Sequence, residues 1–597
     1  MKKNMWFLPI LALLACAPSP EKTRAEVDEY LKSYNAKFKE LAYAVSLAEW
    51  DLNTKIVEGD TTNAVASQAA NEAYTKFTGS VENIEKARAF LKKRAQLESL
   101  QTLQLEKILY NAADAPQTIP EVVKERIAAE TAQTEKLFGF SFKIDDQAVT
   151  PNQIDEVLRS SNDLAQRQKA WEASKEVGKT LKEGLANLQR LRNQTVQALG
   201  YSDYFSYQVS DYGMSKEEMM TLMAQLNREL RPLYRELHTY ARYTLAEKYG
   251  QPVPRELPAH WLPNRWAQDW SSMVKVAGFD LDGVLRTKSP EWITQQAERF
   301  YVSLGFQPLP QSFWEKSSLY PLPADAPFKK NNHASAWHMD YENDLRSLMS
   351  VEPNTEWYET AHHELGHIYY YISYTNEDVP PLLREGANRA YHEAIGSMLG
   401  LASMQRPFVE ALGLTSSNGA SDNTQALLKE ALNYVVFMPF AAGTMTKFEH
   451  DLYASNLPQS EYNRRWWELV KQYQGVIPPT PRGEEYCDAA SKTHISDDAA
   501  QYYDYALSFV ILFQLHDHIA AKILAQDPHA TNYYGNVEVG KFLDGIMRPG
   551  ASRNWREVLR EQTGEDLSAR AMLKYFEPVR EYLKQANAGR EHTLEEL

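Results

Sequence analysis

Two histidines and a glutamate near the middle of the chain have the spacing of a metal site. His363 and His367 lie four residues apart, and Glu364 follows the first of them. On a helix this spacing projects both imidazoles from one face, one turn apart, where both can reach one ion. A carboxylate beside that face cannot easily ligate alongside both histidines, but it can deprotonate a water at the metal. The pattern therefore predicts half of a hydrolytic zinc site.

The residues around this motif favour a helix, and the chain after it offers a third ligand. Residues 356–359 and 368–371 contain neither proline nor glycine, which suits a largely buried helix. A catalytic zinc needs three protein ligands and one open position. We expect the third ligand to come from the next helical segment, residues 382–402. Spacing alone leaves three candidates there: Glu385, His392 and Glu393.

Length and charge limit the possible functions. The chain has 597 residues, 43% of them hydrophobic, and a formal net charge of −15. A chain of this size and composition can bury a large core or several. The acidic balance, without any block of lysine and arginine, argues against nucleic acid or an anionic membrane surface as a partner.

The N-terminus has the features of a bacterial export signal. Residues 1–15 combine a short basic region with an apolar run too short to span a bilayer stably, so we predict a signal peptide. Residues 13–16 read Leu-Leu-Ala-Cys, which resembles a lipobox, and we predict lipid attachment at Cys16 with residues 16–24 as a tether. The alternative is an ordinary secretory signal with an incidental cysteine.

The two cysteines of the chain bear on its compartment and its anchoring. A lipidated Cys16 leaves Cys487 alone, so no intramolecular disulfide is possible and the zinc site cannot be Cys-rich. We expect no membrane anchor other than the lipid, because no second long apolar segment is present. We predict a periplasm-facing lipoprotein of the bacterial cell envelope. Ala17, in place of the Asp that retains lipoproteins in the inner membrane, favours the outer membrane.

Most of the chain has helical patterning. Residues 27–53, 81–111, 181–199 and 216–249 are rich in Ala, Leu, Glu, Lys and Gln, with apolar residues every three or four positions. Strand-like alternation is scarce. The proline- and glycine-rich breaks are too short to be flexible linkers. We therefore predict a mainly α fold with minimal β structure, one unit over residues 25–597, and two lobes around a deep substrate cleft.

One extended segment is expected near the metal helix. Residues 329–339 contain the sequence His-Ala-Ser-Ala-Trp, whose alternating small and polar residues fit the edge of a strand. A strand edge can hydrogen-bond a peptide laid alongside it.

Several motifs, in order, make the sequence resemble a known family. They are Trp266-Ala-Gln268, His333-Ala-Ser-Ala-Trp337, His362-His-Glu-Leu-Gly-His367, Arg384-Glu-Gly-Ala-Asn388, His392-Glu-Ala-Ile-Gly396, Tyr473-Gln-Gly475 and Lys492-Thr-His494. Together they resemble angiotensin-converting enzyme and its bacterial relatives, from about Trp266 to the C-terminus and more loosely before it. The resemblance implies a large helical zinc-peptidase (gluzincin) domain that binds one Zn²⁺ ion.

The resemblance assigns metal and catalytic roles. It implies that Glu393 is the third ligand, which leaves Glu385 and His392 as supporting or structural residues. It implies that Glu364 is the general base and acid. The implied stabilisers of the tetrahedral oxyanion are His494 and Tyr505.

The resemblance also assigns substrate contacts. It implies that His333 and the Ala334 backbone bind the peptide. The implied ligands of its terminal carboxylate are Gln268, Lys492 and Tyr502. One cation and two neutral groups suit a carboxylate that must bind reversibly. Tyr503 is the alternative to Tyr502 for this contact, because the chain carries one residue more than the family between His494 and Tyr505.

The function implied by the family is a zinc peptidyl-dipeptidase. Such an enzyme would release C-terminal dipeptides from short peptides with a free C-terminus. Two alternatives remain: a related helical zinc oligopeptidase or carboxypeptidase, and a catalytically silent peptide-binding envelope protein. The presence of Glu364 and of all three implied ligands argues against the silent protein.

Three positions depart from the family's pattern. Chloride-activated relatives carry arginines where this chain has Asp504 and Val470, so we expect activity that is independent of chloride. Ser397, one turn after Glu393, replaces an Asp that supports a zinc-bound histidine. Without that charge we expect the imidazole to be less basic and the metal less tightly held.

Overall fold

The computed structural model describes residues 19–275, 281–415 and 423–597. This part of the chain is mainly helical with a few short strands, so the predicted fold class is confirmed. The predicted signal peptide and Cys16 lie outside the described residues.

The helices follow one another along the described chain, with the longest connections before α11 and before α14. Up to Tyr249 they are α1 (Pro20–Thr54), α2 (Thr62–Thr78), α3 (Val81–Leu91), α4 (Ser99–Asp114), α5 (Pro120–Phe138), α6 (Pro151–Ser160), α7 (Leu164–Lys175), α8 (Val177–Gln197), α9 (Tyr204–Ser210) and α10 (Lys216–Tyr249). The next are α11 (Asp282–Leu285), α12 (Pro290–Ser303), α13 (Gln311–Lys316), α14 (Thr355–Tyr374), α15 (Arg389–Ser403), α16 (Arg406–Ala411), α17 (Thr424–Met438), α18 (Thr446–Tyr453) and α19 (Tyr462–Leu469). The last are α20 (Thr493–Asp497), α21 (Tyr503–His518), α22 (Val537–Met547), α23 (Trp555–Thr563), α24 (Arg570–Tyr575) and α25 (Glu577–Ala586).

The strands of the described residues form three two-stranded sheets. They are β1 (Phe142–Ile144), β2 (Gln147–Val149), β3 (Leu257–Pro258), β4 (Ser335–His338), β5 (Leu345–Leu348) and β6 (Val476–Ile477). β1 pairs with β2 and β4 with β5, both antiparallel, while β3 pairs in parallel with β6. Ser335 stands opposite Leu348 and His338 opposite Leu345. β4 packs against α14, so the expected extended segment lies beside the metal helix.

Two predicted helices differ from the structure at identifiable points. Residues 81–111 form α3 and α4 with a break between them, in which Arg94–Gln96 make a 3-10 turn. α15 begins at Arg389 rather than near residue 382. The Asn388 side chain accepts a hydrogen bond from the Tyr391 backbone and so starts the helix there.

Most buried apolar side chains of the described residues belong to one core, with members from Ala113 to Leu594. A separate small cluster joins α1, α3 and α4 through side chains such as Val27 and Leu105. α1 also contacts the sheet of β4 and β5: the Trp50 ring packs edge-on against that of Trp337 at 5.6 Å, and Tyr43 donates to Asp344, directly before β5, at 3.0 Å. The predicted boundaries of a single unit over residues 25–597 stay a prediction.

One helical stretch among the described residues, Tyr503–Leu524, is long and apolar enough to cross a membrane by length and composition. It includes α21, and 61% of its apolar window is buried inside the protein. α21 packs against α15 and α24. Burial in the core accounts for the apolar composition of this stretch.

Candidate active site

α14 carries the metal motif, and its N-cap explains where it begins. The Asn354 side chain accepts a hydrogen bond from the Trp357 backbone and caps the first turn. The helix is buried over most of its remaining length. His363 and His367 lie on one face, with ring centroids 4.9 Å apart. The chain therefore builds the histidine pair locally, within a single turn.

Two glycines bring α15 against this face of α14. A Cβ on Gly366 would stand 2.9 Å from the Cα of Gly396, and a Cβ on Gly396 would stand 3.0 Å from His363 Nε2. A well-packed interior leaves no room for such contacts without displacement. The bare backbone at both positions therefore lets the helices pack closely, and this packing carries Glu393 to the histidines.

His363, His367 and Glu393 meet at one point. Their potential ligand atoms all lie within 4.8 Å of one another, and the two Nε2 atoms are 3.1 Å apart. Burial lowers the pKa of His363 to about 4 and that of His367 well below its usual range. Both imidazoles are therefore neutral at pH 7 and can offer lone pairs. Two neutral nitrogens and a carboxylate fit Zn²⁺.

Glu364 lies beside the triad of His363, His367 and Glu393, and one of its carboxylate oxygens is unpaired in the described part of the chain. Its side chain is buried, and Oε2 has no hydrogen-bond partner within the described residues. Burial first, and then the charge of Glu393, raise the pKa of Glu364 to about 8. A carboxyl group in these surroundings can take a proton from water and return it, as a general base and acid must.

The other two candidate ligands have different surroundings. Glu385 lies in the loop before α15 and forms an ion pair with Lys107 at 2.6 Å. His392 packs on Tyr370, with ring centroids 4.3 Å apart, and its Nδ1 lies 3.3 Å from Nδ1 of His367. His392 therefore stands behind a ligand, where it can fix the orientation of that ring.

His494 and Tyr505 form a second group of polar side chains. His494 Nε2 lies 3.2 Å from the Tyr505 hydroxyl. Burial lowers the pKa of His494 to about 4 and raises that of Tyr505 above its ordinary value. Both groups are therefore neutral at pH 7, and neutral donors of this kind can stabilise a developing oxyanion.

Gln268, Lys492 and Tyr502 meet beside this pair. Gln268 Oε1 accepts hydrogen bonds from Lys492 Nζ at 3.2 Å and from the Tyr502 hydroxyl at 3.4 Å. The Tyr502 ring lies 5.1 Å from that of His494 and 4.9 Å from that of Tyr505. Burial lowers the pKa of Lys492 to about 7. The cluster presents one cation and amide and hydroxyl donors in one place.

Tyr503, the competing choice for the carboxylate contact, points elsewhere. Its ring packs edge-on against Tyr212 at 5.4 Å and against Phe205 at 5.9 Å. Its hydroxyl is buried without a hydrogen-bond partner within the described residues. The structure thus brings Tyr502, and not Tyr503, to Gln268.

A strained turn at Ala267 presents Gln268. The Gln474 side chain holds this turn, although no sequence motif assigned Gln474 a role. Ala267 has a φ of 55°, in the left-handed region. The buried Gln474 side chain donates to the carbonyls of Trp266 at 3.0 Å and Ala267 at 3.2 Å. Gln474 lies 208 residues from Trp266 in sequence. The motif Tyr473-Gln-Gly475 includes this residue, but no local pattern indicates which carbonyls it contacts.

The triad and the edge of β4 line one cavity of about 920 Å³. His333, Ala334 and Ala336 form part of its wall. The Tyr371 hydroxyl on α14 donates to the Ala336 carbonyl at 3.2 Å, which ties β4 to the metal helix. This wall does not include the group formed by Gln268, Lys492, Tyr502, His494 and Tyr505.

The three departures from the family's pattern have distinct surroundings. Asp504 is buried and accepts a hydrogen bond from the Tyr212 hydroxyl at 2.5 Å. Val470 is buried in the core, and Ser397 lines the cavity. Arg389, to which no sequence motif assigned a role, is a cation of the cavity wall, and its Nε lies 3.7 Å from Asp504.

Comparison with known proteins agrees with this architecture. The family model described as angiotensin-converting enzyme matches residues 21–594. A mouse relative, "Angiotensin-converting enzyme-like protein Ace3", is 32% identical over 74% of this chain and 61% of its own length. Mouse angiotensin-converting enzyme is 30% identical over 95% of this chain and 44% of its own length. Bovine angiotensin-converting enzyme is 32% identical over 73% of this chain and 34% of its own length. The match therefore spans less than two thirds of each of these relatives.

A mainly helical fold with a His pair on one helix and a Glu on the next defines the class of helical zinc metallopeptidases. Within that class the chain belongs to the angiotensin-converting enzyme family, because the family model covers nearly the whole chain.

Proposed function

We propose that the protein is a zinc peptidyl-dipeptidase that removes dipeptides from the free C-terminus of short peptides. The observation that carries the proposal is the Gln268, Lys492 and Tyr502 cluster. It lies beside the His494 and Tyr505 pair and offers a cation with neutral donors. Such a group suits a terminal carboxylate better than a peptide bond in mid-chain.

His363, His367 and Glu393 would hold the zinc ion. When bound, zinc supplies Lewis acidity, which polarises a peptide carbonyl and makes a water more acidic. Glu364, with its raised pKa and unpaired oxygen, receives the proton of the attacking water and passes it to the leaving amine. His494 and Tyr505 donate hydrogen bonds to the oxygen on which negative charge develops.

The anchor for the carboxylate supports cleavage close to the free C-terminus, and the family resemblance implies a product of two residues. A peptide whose terminal carboxylate binds at Lys492 would lie extended past the triad, with Ala334, directly before β4, along its other part. The distance between the carboxylate anchor and the metal then fixes the length of the product.

Product analysis tests this proposal directly. The purified protein is incubated with a mixed pool of short peptides, with and without a chelator, and products are identified by mass spectrometry. We expect dipeptides only, no activity with chelator, and loss of activity on C-terminally amidated peptides. Single amino acids would instead indicate a carboxypeptidase, and internal fragments an oligopeptidase. No hydrolysis by the zinc-loaded protein would indicate a silent peptide-binding protein.

We further propose that chloride is not required. The Arg389 guanidinium near Asp504 is already paired with Asp498 at 2.7 Å, so this region offers no uncompensated cation for an anion. The rate should change less than about twofold between chloride-free buffer and physiological salt at matched ionic strength. A many-fold rise would contradict this proposal.

The proposed location is the bacterial cell envelope, with a lipid on Cys16. The lipobox-like sequence at residues 13–16 supports it. We expect the protein to sediment with outer-membrane fractions and Cys16→Ser to release it in soluble form. A Cys16→Ser variant that stays with the membrane would argue for a different anchor.

A further inference from the structure

One cation of the cavity wall has no part in the chemistry described above. Arg389 is the first residue of α15, one turn before Glu393, and it lines the cavity. Its Nη1 and Nη2 donate to the two carboxylate oxygens of Asp498 at 2.8 and 2.7 Å. Its Nε lies 3.7 Å from Asp504. One guanidinium therefore binds Asp498 at two points and stands within ion-pair distance of Asp504.

Each of these carboxylates is tied to one member of the oxyanion pair. The Asp498 backbone donates to the His494 carbonyl at 3.3 Å, directly after α20. Asp504 immediately precedes Tyr505 in the first turn of α21. The bridge therefore runs from the helix that carries Glu393 to both His494 and Tyr505.

A second connection reinforces the first. The Tyr212 hydroxyl donates to Asp504 at 2.5 Å and accepts a hydrogen bond from the Ala390 backbone at 3.2 Å. The first two residues of α15 are thus both joined to Asp504, one through a side chain and one through the backbone. Asp504 is 2% exposed, so water competes little for its hydrogen bond with Tyr212.

We propose that Arg389 is a positioning residue that holds His494 and Tyr505 at a fixed place relative to Glu393 and its helix. It acts through Asp498 and Asp504 and not by touching the substrate. The inference rests on the proposed function, because the two positioned groups are the proposed oxyanion donors. Arginine suits this task because its planar fork binds a carboxylate at two points, whereas lysine offers a single point charge.

The expected effect is on the rate of the chemical step. Donors to an oxyanion act in the transition state, so their displacement lowers kcat and leaves KM nearly unchanged. A misplacement of about 1 Å can cost about 100-fold in rate. We expect Arg389→Gln to lower kcat by about 100-fold and Arg389→Lys by about 10-fold, a partial rescue from the retained charge.

Arg553→Gln is the matched control. Arg553 also makes a two-point pair with a carboxylate, that of Glu561 at 2.6 and 3.0 Å, and it lies outside the cavity wall. We expect this variant to keep wild-type kcat and KM. Zinc affinity, measured by competition with a chelator, should stay within about threefold of wild type in all variants, because no ligand is removed. If Arg389→Gln does not fold, Arg389→Lys carries the same comparison.

A double-mutant cycle with Tyr505→Phe tests the route of action. If Arg389 acts through the oxyanion pair, Arg389→Gln should cost about 10-fold or less in the Tyr505→Phe background, because the two losses are not additive. Full additivity would overturn the inference. So would a rise in KM at unchanged kcat, which would make Arg389 a direct substrate contact. Absence of hydrolysis by the wild-type protein would instead reject the proposed function itself.

Discussion

The metal half of the site and the carboxylate half are built in different ways. His363, His367 and Glu393 come from two neighbouring helices that pack through bare glycine backbone. The carboxylate half, formed by Gln268, Lys492 and Tyr502, takes Gln268 and Lys492 from segments 224 residues apart and joins them by a hydrogen bond. Its turn at Ala267 is strained and is held by Gln474. The first half depends on local spacing and close packing, and the second on long-range polar contacts.

This difference separates the two tasks of the proposed enzyme. The metal half should tolerate changes elsewhere in the chain but lose zinc affinity when its packing is disturbed. In the carboxylate half, residues that do not touch the substrate should also affect substrate binding.

Glu364→Gln should abolish the reaction without disturbing the metal half. We expect kcat to fall by about 1,000-fold or more, because the only proposed base is lost, while zinc affinity stays close to wild type. Rates are measured on a chromogenic or fluorogenic peptide, and zinc affinity by chelator competition. Glu356→Gln, on the same helix and cavity wall, is the control and should remain active. Retained activity in Glu364→Gln would refute the proposed mechanism.

Lys492→Gln should weaken substrate binding at the carboxylate half of the site. Loss of a charge-assisted hydrogen bond of about 2 kcal/mol predicts a rise in KM of about 30-fold. The exposed Lys471→Gln is the control and should leave KM unchanged.

The pH dependence of KM gives a second test of Lys492. Burial lowers the pKa of this ammonium to about 7, so in the free enzyme it is charged below neutral pH and loses its charge above it. KM should therefore rise as pH increases through neutrality. Lys492→Arg should remove that rise, because a guanidinium keeps its charge. A KM that is flat from pH 6 to 9 in wild type would count against this role.

Gly396→Ala should disturb the metal half by packing alone. The added methyl group would stand 3.0 Å from the His363 ring and displace it. We expect zinc affinity to fall by about 10- to 100-fold, the range seen when the support of a ligand is lost. Gly400→Ala, one turn further along α15, has its nearest contact at 3.4 Å and should bind zinc normally. Equal affinity in both variants would contradict the packing argument.

Ser397→Asp should give the smallest effect and the opposite sign. A carboxylate there can support a zinc-bound histidine and make it more basic, so we expect zinc affinity to rise by about 10-fold. Ser397→Asn keeps the shape without the charge and should not reproduce the gain. Unchanged zinc affinity in Ser397→Asp would show that the serine at this position does not weaken metal binding.

The same contrast explains how much the sequence could predict. Periodicity and spacing predict the helical fold, the His363 and His367 pair and the proposed role of Glu364. The choice of Glu393 needed the family resemblance, because Glu385 and His392 occupy the same short segment. In the structure Glu385 is paired with Lys107, and residue spacing cannot predict this contact.

Other residues of the site depend on contacts that no local pattern encodes. Tyr502 and Tyr503 are adjacent and chemically alike, and only the fold turns one toward Gln268 and the other toward Tyr212. Gln474 and Arg389 act on groups far away in sequence. Their roles follow from tertiary hydrogen bonds, which periodicity does not report.

The buried thiol of Cys487 bears on how the protein withstands redox change. Cys487 is fully buried and unpaired, and burial raises the pKa of its thiol to about 12. Only a thiolate is a good nucleophile for disulfide exchange or alkylation, so this thiol stays inert at physiological pH. The described fold has no disulfide to reduce and no exposed thiol to oxidise. Thiol reductants and mild oxidants should therefore leave the stability of the folded domain unchanged.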